Sequence, residues 1–392
     1  MSRELLCQTV NSFGNPQLDT IPCVSIIVSF SESYSGEVRV KKGQNVKEKS
    51  VSWQTGKTLL HLDANIATAG RLSRGRKQVM IVDENVIRLY GHRLPEMPLI
   101  AIVGTETEKT LETVFSVYKQ LTEFKSDRAT LVWCVGGGIT TDIGAYAAST
   151  YMRGLPFILV PTTLLAQVDA SIGGKCGVNF DGYKNLVGTF SHPEEIVVDY
   201  SFLQTLPDRE LKNGFGEMIK HACIADYSLF KELESRDNLA DQLQKGQKDA
   251  LSLIEQSISI KIKIVSRDER EGGQRKLLNF GHTFAHAIEA ETGIPHGQAV
   301  SIGMVMAIHL SVELGMLKKG NDGRLIHLLT QYGLPVTLPV SPERLIHALW
   351  HDKKKHGEEI DMVLLSEIGR AELVPVSIKR LKEFLSDLRQ HP

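Results

Sequence analysis

Four short apolar runs that alternate with helix-like segments restrict the fold of this chain more than any other feature. The runs span residues 78–83, 99–103, 130–135 and 157–160. Continuous apolar runs of this length are typical of strands that are buried on both faces of a parallel sheet. Segments with helical periodicity lie between them, at 109–121 and 139–150. The alternation predicts an α/β domain with a Rossmann-like parallel sheet and helices on its faces.

The second half of the chain has a different pattern, because strand-like runs become rare after about residue 205. Helical periodicity recurs at 209–224, 228–233, 248–265, 282–291, 298–314, 322–332 and 377–388, with a late hairpin expected from 362–365 and 371–374. Residues 1–75, with a strand-like run at 24–30, are expected to form a hairpin or edge strands. We therefore predict an N-terminal extension of the first domain (1–75), an α/β domain (76–205) and a mostly helical domain (206–392). The cleft between the last two is the expected binding site.

Composition excludes several classes of protein. The 392 residues contain 45 Lys and Arg against 46 Asp and Glu, so there is no basic excess for binding nucleic acid. No apolar stretch approaches the roughly 20 residues of a membrane helix, and the first residues lack the apolar core of a signal peptide. The five cysteines are scattered, without a CxxC pair. These features predict a cytoplasmic protein with reduced thiols and no membrane association.

A glycine turn and an aspartate on the predicted sheet indicate a dinucleotide site. Gly136, Gly137 and Gly138 lie between a buried strand and a helix start, where free backbone N–H groups attract phosphate. Asp142 follows in the first turn of that helix. Asp83 ends an earlier strand, which is the usual position for binding a nucleotide ribose. The glycines do not match the GxGxxG fingerprint, and a plain tight turn is the alternative.

A glycine-rich segment, residues 169–179, and the pair Lys184 and Asn185 indicate a site for a phosphorylated, polyhydroxylated ligand. The segment is expected to be a loop, with Lys175 next to two glycines. Lysine supplies positive charge, and asparagine supplies both a donor and an acceptor for hydroxyls. A solvated loop is the alternative. Further along the chain, Glu217 and Lys220 share one face of a predicted helix, with an exposed intrahelical ion pair as the alternative.

The most specific cluster is a group of three histidines within 15 residues. His282 and His286 are four apart and share a helical face, and His296 follows after a short turn. With a glutamate they suit a zinc site that keeps a position open for substrate. The spacing leaves open which two histidines bind the metal, and for any one of them alone a core position is the alternative. Other basic and amide residues are available to surround an anion: Arg153, Lys261, Lys263, Arg275, Asn279 and the run 353–355.

Taken in order, these residues resemble the sugar phosphate cyclases, and most closely the 3-dehydroquinate synthase group. The resemblance covers roughly residues 78 to 375 and rests on the motifs TYMRG, PTTLLAQVDASIGGK, GEMIKH, LNFGHTF, HGQAV and DKK. It implies an N-terminal NAD-binding domain, a helical domain that binds one divalent metal ion (usually zinc, with cobalt suiting the same ligands), and a homodimer. By resemblance, the metal ligands are Glu217, His282 and His296.

The resemblance also implies which residues contact the cofactor and the substrate. For NAD these are Asp83, Asn85, Glu106, Lys109, Gly137, Gly138, Asp142, Thr162, Thr163 and Thr205. The implied catalytic residues are Asp169, Lys175, Lys220, Arg275, Asn279 and His286. Further substrate-binding residues are Lys184, Asn185, Lys261, Lys353, Lys354 and, from the neighbouring subunit, Arg153.

The implied activity belongs to the shikimate pathway and converts 3-deoxy-D-arabino-heptulosonate 7-phosphate to 3-dehydroquinate and phosphate. Its steps are oxidation by NAD⁺, phosphate elimination, reduction, ring opening and intramolecular aldol addition. Arg275, Asn279 and His286 match the group that acts on this carboxylate substrate. Ala285 departs from the glycine that the resemblance expects, so a related cyclase of secondary metabolism is the main alternative. Its substrate would be sedoheptulose 7-phosphate or an amino analogue. An iron-type alcohol dehydrogenase and a non-catalytic relic are the remaining alternatives.

Overall fold

The computed structural model describes residues 47–69, 75–353 and 359–387, so the predicted strand at 24–30 lies outside the described residues. The strands are β1 Lys47–Trp53, β2 Gly56–Leu62, β3 Gln78–Asp83, β4 Leu99–Ile102, β5 Leu131–Gly136, β6 Phe157–Pro161, β7 Lys175–Phe180, β8 Tyr183–Phe190, β9 Glu195–Val198, β10 Glu359–Glu367 and β11 Arg370–Ser377. The helices are α1 Ile66–Ala69, α2 Glu84–Tyr90, α3 Leu111–Glu123, α4 Gly138–Thr150, α5 Asp208–Ala225, α6 Tyr227–Glu234, α7 Leu239–Gln244, α8 Lys248–Val265, α9 His282–Thr292, α10 His296–Glu313, α11 Asn321–Gln331, α12 Pro342–Lys353 and α13 Ile378–Asp387.

A seven-stranded sheet forms the centre of the N-terminal region, in the order β1-β2-β9-β6-β5-β3-β4. All neighbouring strands are parallel except β1 and β2, which form an antiparallel hairpin at one edge. β5 is buried on both faces: Val132 and Cys134 join one core, and Trp133 and Val135 join the other. Two-sided burial explains why this strand has no polar side chain. The predicted α/β fold is confirmed, and the described part of the N-terminal segment contributes a hairpin at one edge of the sheet.

The expectation that residues 169–179 form a loop is right only for residues 171–174. Ala166–Ala170 is a π-helical turn, in which the Ser171 N–H donates to the Ala166 carbonyl. Lys175–Phe180 is a strand that pairs with Tyr183–Phe190 in a separate hairpin. Among the glycines that made the sequence look loop-like, Gly177 serves this pairing, because a Cβ there would lie 2.5 Å from the Val187 carbonyl oxygen.

The helical region is built around α10, which is buried on nearly all sides. α5, α9, α11 and strand β10 pack against it. The seven helices predicted beyond residue 205 are present with bounds that differ by two residues at most, and the late hairpin is longer than predicted. Sequence patterns did not predict α7 or α12. Within the described residues, no helix combines the length and apolar character needed to cross a membrane.

Candidate active site between the sheet and the helical region

Glu217, His282 and His296 meet where three helices converge. Glu217 lies in the middle of α5, His282 is the first residue of α9 and His296 is the first residue of α10. Glu217 Oε1 is 3.8 Å from His282 Nε2 and 3.4 Å from His296 Nε2. One nitrogen or oxygen from each residue lies within 4.8 Å of the others, which is close enough for all three to bind one ion.

Glycines allow the helices that carry these groups to approach closely. Gly216 precedes Glu217 on α5, and Gly297 follows His296 on α10. A Cβ on Gly216 would lie 2.9 Å from the Gly297 carbonyl oxygen, and one on Gly297 would lie 2.5 Å from the backbone of Asn213. Because side chains at these positions would hold the helices apart, the glycines set the spacing between Glu217 and His296.

The environment of these three side chains suits a divalent metal ion. Glu217 is fully buried, and its Oε1, which faces both histidines, has no hydrogen-bond partner in the described structure. Burial lowers the pKa of His282 to about 3, helped by the positive charge of Lys220, so the imidazole is neutral, as a metal ligand must be. One carboxylate and two imidazoles form a ligand set that zinc accepts in catalytic sites. These residues therefore form a candidate metal site.

Lys220 forms an ion pair with Glu217 inside the protein. The alternative that their spacing left open, an exposed pair on the helix surface, is therefore wrong. Both side chains are buried, at 2% and 0% exposure. Neighbouring carboxylates outweigh the effect of burial and raise the pKa of Lys220, so the ammonium group keeps its charge. A buried, charged lysine beside a candidate metal site is suited to stabilising negative charge on a ligand.

Glu289 holds His296 from the side opposite the candidate metal. Its Oε1 lies 2.8 Å from His296 Nδ1, and its Oε2 lies 3.2 Å from Lys184 Nζ. Burial favours the neutral acid, but the hydrogen bond and charge of His296 outweigh burial and lower the pKa of Glu289 to about 2. Sequence reasoning missed Glu289. Its place three residues after His286, on the same helical face, is the signal that was available.

Asp169 contacts a second group of charged side chains. It lies in the π-helical turn Ala166–Ala170, which directs its carboxylate toward α8 and α5. Its Oδ1 lies 2.7 Å from Lys261 Nζ, 3.3 Å from His221 Nε2 and 3.9 Å from Lys220 Nζ. Burial opposes ionisation of Asp169, but the lysines and His221 hold its pKa well below the usual range. Asp169, Glu217 and His221 also lie within 4.8 Å of one another. Because Lys261 already occupies the carboxylate of Asp169, this trio is the poorer metal site.

The segment between α8 and α9 places Arg275 and Asn279 beside Lys175. Glu271 joins them, since it forms an ion pair with Lys175 and accepts a hydrogen bond of 2.9 Å from Asn279 Nδ2. Arg275 donates from Nη1 to the carbonyl oxygen of Glu269. A Cβ on Gly173 would lie 2.6 Å from Arg275 Nη2, so glycine leaves room for the guanidinium group. Sequence reasoning missed Glu271, although it lies four residues before Arg275.

The edge hairpin β1–β2 supports this segment through Glu269. The Glu269 carboxylate accepts hydrogen bonds from the Gln54 backbone N–H at 2.7 Å and from the Thr55 hydroxyl at 2.6 Å. His192 Nε2 lies 3.0 Å from the same carboxylate, and the His192 ring stacks on Trp53 with centroids 4.5 Å apart. The hairpin turn therefore fixes the residue whose carbonyl group holds Arg275.

The glycine turn and Asp83 lie at the same edge of the sheet. Gly137 caps α4, and a Cβ on Gly138 would lie 3.2 Å from Ala170. Asp83 caps α2 by accepting the Asn85 N–H at 2.8 Å, and it accepts the Thr140 hydroxyl at 3.4 Å. The carboxyl ends of parallel strands and the helix N-termini that follow them are the usual place for a dinucleotide.

Lys109 connects this edge with the hairpin β7–β8. Its Nζ lies 2.5 Å from Asp142 Oδ2 and 2.6 Å from Asn185 Oδ1. Glu106 accepts a hydrogen bond of 2.8 Å from Asn179 Nδ2. Residues that the resemblance assigned to NAD and to substrate are thus in direct contact.

The remaining predicted residues are more dispersed. The centroid of the His286 ring lies 5.6 Å from that of the His282 ring. Thr162 and Thr163 directly follow strand β6, at the edge of the sheet where Asp83 lies. Thr205 Oγ1 bonds to the Tyr90 hydroxyl at 2.7 Å. Arg153 is exposed in the turn after α4, with a positive φ of 71°. The side chains of Lys353 and Lys354 lie outside the described residues.

Comparisons with known proteins agree with this geometry. Residues 99–213 match the family model "3-dehydroquinate synthase N-terminal", and residues 214–355 match "3-dehydroquinate synthase C-terminal". A 3-dehydroquinate synthase of Streptococcus sanguinis is 39% identical over 327 residues, which cover 80% of this chain and 91% of that protein.

Two solved structures share the fold. The 2-epi-5-epi-valiolone synthase of Streptomyces hygroscopicus, with NAD⁺ and Zn²⁺ bound, is 30% identical with a TM-score of 0.77, covering 90% of this chain and all of that one. A 2-deoxy-scyllo-inosose synthase complexed with carbaglucose-6-phosphate, NAD⁺ and Co²⁺ is 26% identical, also with a TM-score of 0.77, covering 87% and 100%. The chain belongs to the 3-dehydroquinate synthase family of sugar phosphate cyclases, which are carbon–oxygen lyases.

Proposed function

We propose that this protein is a 3-dehydroquinate synthase that uses NAD⁺ and one divalent metal ion, preferably zinc. Its substrate would be 3-deoxy-D-arabino-heptulosonate 7-phosphate, and its products 3-dehydroquinate and phosphate. The observation that carries the proposal is the contact between the candidate metal residues Glu217, His282 and His296 and a buried group of charged side chains around Asp169. Relatives with this activity match most of the chain.

The cofactors and the chain contribute differently to such a reaction. The metal ion would polarise a substrate hydroxyl, and NAD⁺ would accept a hydride and later return it. Lys220, buried and charged beside Glu217, is placed to stabilise negative charge on the substrate oxygen as the hydroxyl loses its proton. Asp169 holds Lys261 at 2.7 Å and keeps that ammonium group at the edge of the same site.

Arg275 supports a substrate that carries a carboxylate. A guanidinium group has five N–H donors, and only one of its nitrogens bonds to the Glu269 carbonyl. The rest of its planar fork suits a carboxylate. Asn279 and Lys175, joined by Glu271, add a neutral donor and a positive charge nearby. Closure of the site around these groups would exclude water from the intermediates.

A homodimer is part of the proposal, with Arg153 reaching the phosphate of the partner's substrate. Exposed apolar side chains support it: Met152 is 43% exposed next to Arg153, and Phe180, Tyr183 and Leu186 on the β7–β8 hairpin are 49%, 60% and 58% exposed. Large exposed apolar side chains grouped in this way are typical of a protein interface.

Mixing two inactive variants tests the dimer. If Arg153 serves the partner's site, Arg153→Ala mixed with Lys175→Ala restores activity, because one site in the mixed dimer keeps both side chains. If Arg153 serves its own site, or the protein is a monomer by light scattering, the mixture stays inactive. Co-purification of an untagged variant with an affinity-tagged one is the control for subunit exchange.

The substrate is tested by phosphate release from two compounds in parallel, with NAD⁺ and Zn²⁺ present. Release from 3-deoxy-D-arabino-heptulosonate 7-phosphate alone is the expected result. Release from sedoheptulose 7-phosphate alone contradicts the proposal and indicates an activity like that of the 2-epi-5-epi-valiolone synthase of Streptomyces hygroscopicus. Net formation of NADH without phosphate release indicates a dehydrogenase instead.

A further inference from the structure

Glu289 connects two parts of the site that the sequence keeps far apart. Its side chain is only 3% exposed, yet both carboxylate oxygens have partners. Oε1 contacts the candidate metal residue His296, and Oε2 contacts Lys184 on the β7–β8 hairpin, 105 residues away in the chain. A buried carboxylate with this pair of partners fixes one side chain from each region.

The contact with His296 defines the protonation of the imidazole ring. Nδ1 faces a carboxylate at 2.8 Å and therefore carries a proton that it donates to Glu289. Nε2 faces Glu217 Oε1 at 3.4 Å and is therefore the ring nitrogen that a metal ion bound to Glu217 would take in place of a proton. Carboxylates that accept the second N–H of a metal-binding histidine fix the ring orientation and raise its basicity.

We propose that Glu289 is a positioning residue that holds His296 in the tautomer and orientation required for the metal and, with its other oxygen, holds Lys184 for the substrate. The inference rests on the proposed metal-dependent function. One carboxylate serves both tasks, so its loss affects metal affinity and substrate affinity together. A residue that only stabilised the fold would change neither in a protein that remains folded.

Competition between the metal-free protein and a chromogenic chelator for Zn²⁺ measures the first effect. Glu289→Gln keeps the side-chain volume but removes the charge, and we expect zinc affinity to fall by roughly 10- to 100-fold. Glu291→Gln is the matched control: Glu291 lies two residues further along α9, and its carboxylate pairs with Arg344 at 2.7 Å. This variant is expected to bind zinc like the wild type. Circular dichroism of both metal-free variants checks that they are folded.

Kinetics at saturating zinc measure the second effect. Glu289→Gln is expected to raise the KM for the sugar phosphate several-fold, because Lys184 loses its partner, while kcat changes less. A fall in kcat with an unchanged KM would contradict the role assigned to the Lys184 contact.

A measurement on the wild type keeps the proposal testable if Glu289→Gln does not fold. In ¹⁵N-histidine NMR of the zinc-loaded protein, His296 is expected to carry its proton on Nδ1 and to bind zinc through Nε2. Zinc on Nδ1 of His296, or a folded Glu289→Gln variant with wild-type zinc affinity, would overturn this inference but leave the proposed function standing. Wild-type protein that binds no zinc would instead overturn the metal-dependent function on which it rests.

Discussion

Replacing Gly297 by alanine is expected to separate the helices that carry Glu217 and His296. The new Cβ would lie 2.5 Å from the backbone of Asn213 on α5, whereas ordinary contacts begin at 3.4 Å. The difference between these distances, about 0.9 Å, must be absorbed by movement of the backbone, because no flexible side chain lies in between. Metal–ligand distances tolerate only about 0.2 Å. A shift several times larger than this tolerance should lower zinc affinity by at least about tenfold, as loss of supporting contacts does in other metal sites.

Gly297→Ala is also expected to lower the free energy of unfolding of the metal-free protein. Overpacking typically costs about 1–3 kcal/mol, and alanine recovers up to about 1 kcal/mol of helix propensity over glycine. The free energy of unfolding should therefore fall by about 0–2 kcal/mol. Gly323 on α11 is the matched control, because a Cβ there meets nothing within 4 Å. Gly323→Ala is expected to leave zinc affinity unchanged and to stabilise the fold by up to about 1 kcal/mol.

Zinc competition with a chelator and urea unfolding of the metal-free proteins test this reasoning. The informative comparison is zinc affinity in Gly297→Ala against Gly323→Ala, both relative to the wild type. A folded Gly297→Ala variant that binds zinc as tightly as the wild type would refute the idea that the glycine contact sets the ligand spacing.

Three further changes test other parts of the site. His282→Ala should abolish turnover through loss of zinc, and activity with full zinc occupancy would contradict the ligand assignment. Thr55→Val leaves the buried carboxylate of Glu269 without one donor, so urea unfolding should show a loss of about 1–3 kcal/mol, with Thr55→Ser close to wild type. Burial raises the pKa of Asp268, but three backbone N–H groups lower it below the usual value. The stability it contributes is therefore present above its unfolded pKa and lost as the pH falls. Asp268→Asn should weaken the acid dependence of unfolding, and an unchanged pH profile would contradict this.

Sequence patterns predict the central strands because burial on both faces leaves a continuous apolar run, as in β5 and β6. The same pattern does not predict the β7–β8 hairpin, because β8 has no continuous buried run. Six of the eight residues of β8 are exposed, at positions 183–186, 188 and 190. Gly177 on β7 and Gly188 on β8 serve a close backbone contact that no single-residue preference reports. The first strands, β1 and β2, are also partly exposed, which leaves only a weak alternation.

The candidate site is predicted where one helix carries several of its residues, and missed where contacts are long-range. His282 and His286 share a helical face, so four-residue spacing reveals them. Glu271 and Glu289 have partners, Lys175 and Lys184, that lie 96 and 105 residues away in the chain. No spacing rule connects such pairs, because only the tertiary fold brings them together.

In the π-helical turn Ala166–Ala170, the number of residues matters as much as their identity. Each residue of an ordinary helix advances the direction of the side chain by about 100°, since one turn contains 3.6 residues. Deleting one residue here would restore ordinary helical hydrogen bonding but turn Asp169 away from Lys261 and His221, its partners at 2.7 and 3.3 Å. Such a deletion changes no catalytic side chain, yet it disconnects the carboxylate from the site. A search for functional relatives should therefore weigh a single-residue gap here as heavily as the loss of a charged residue.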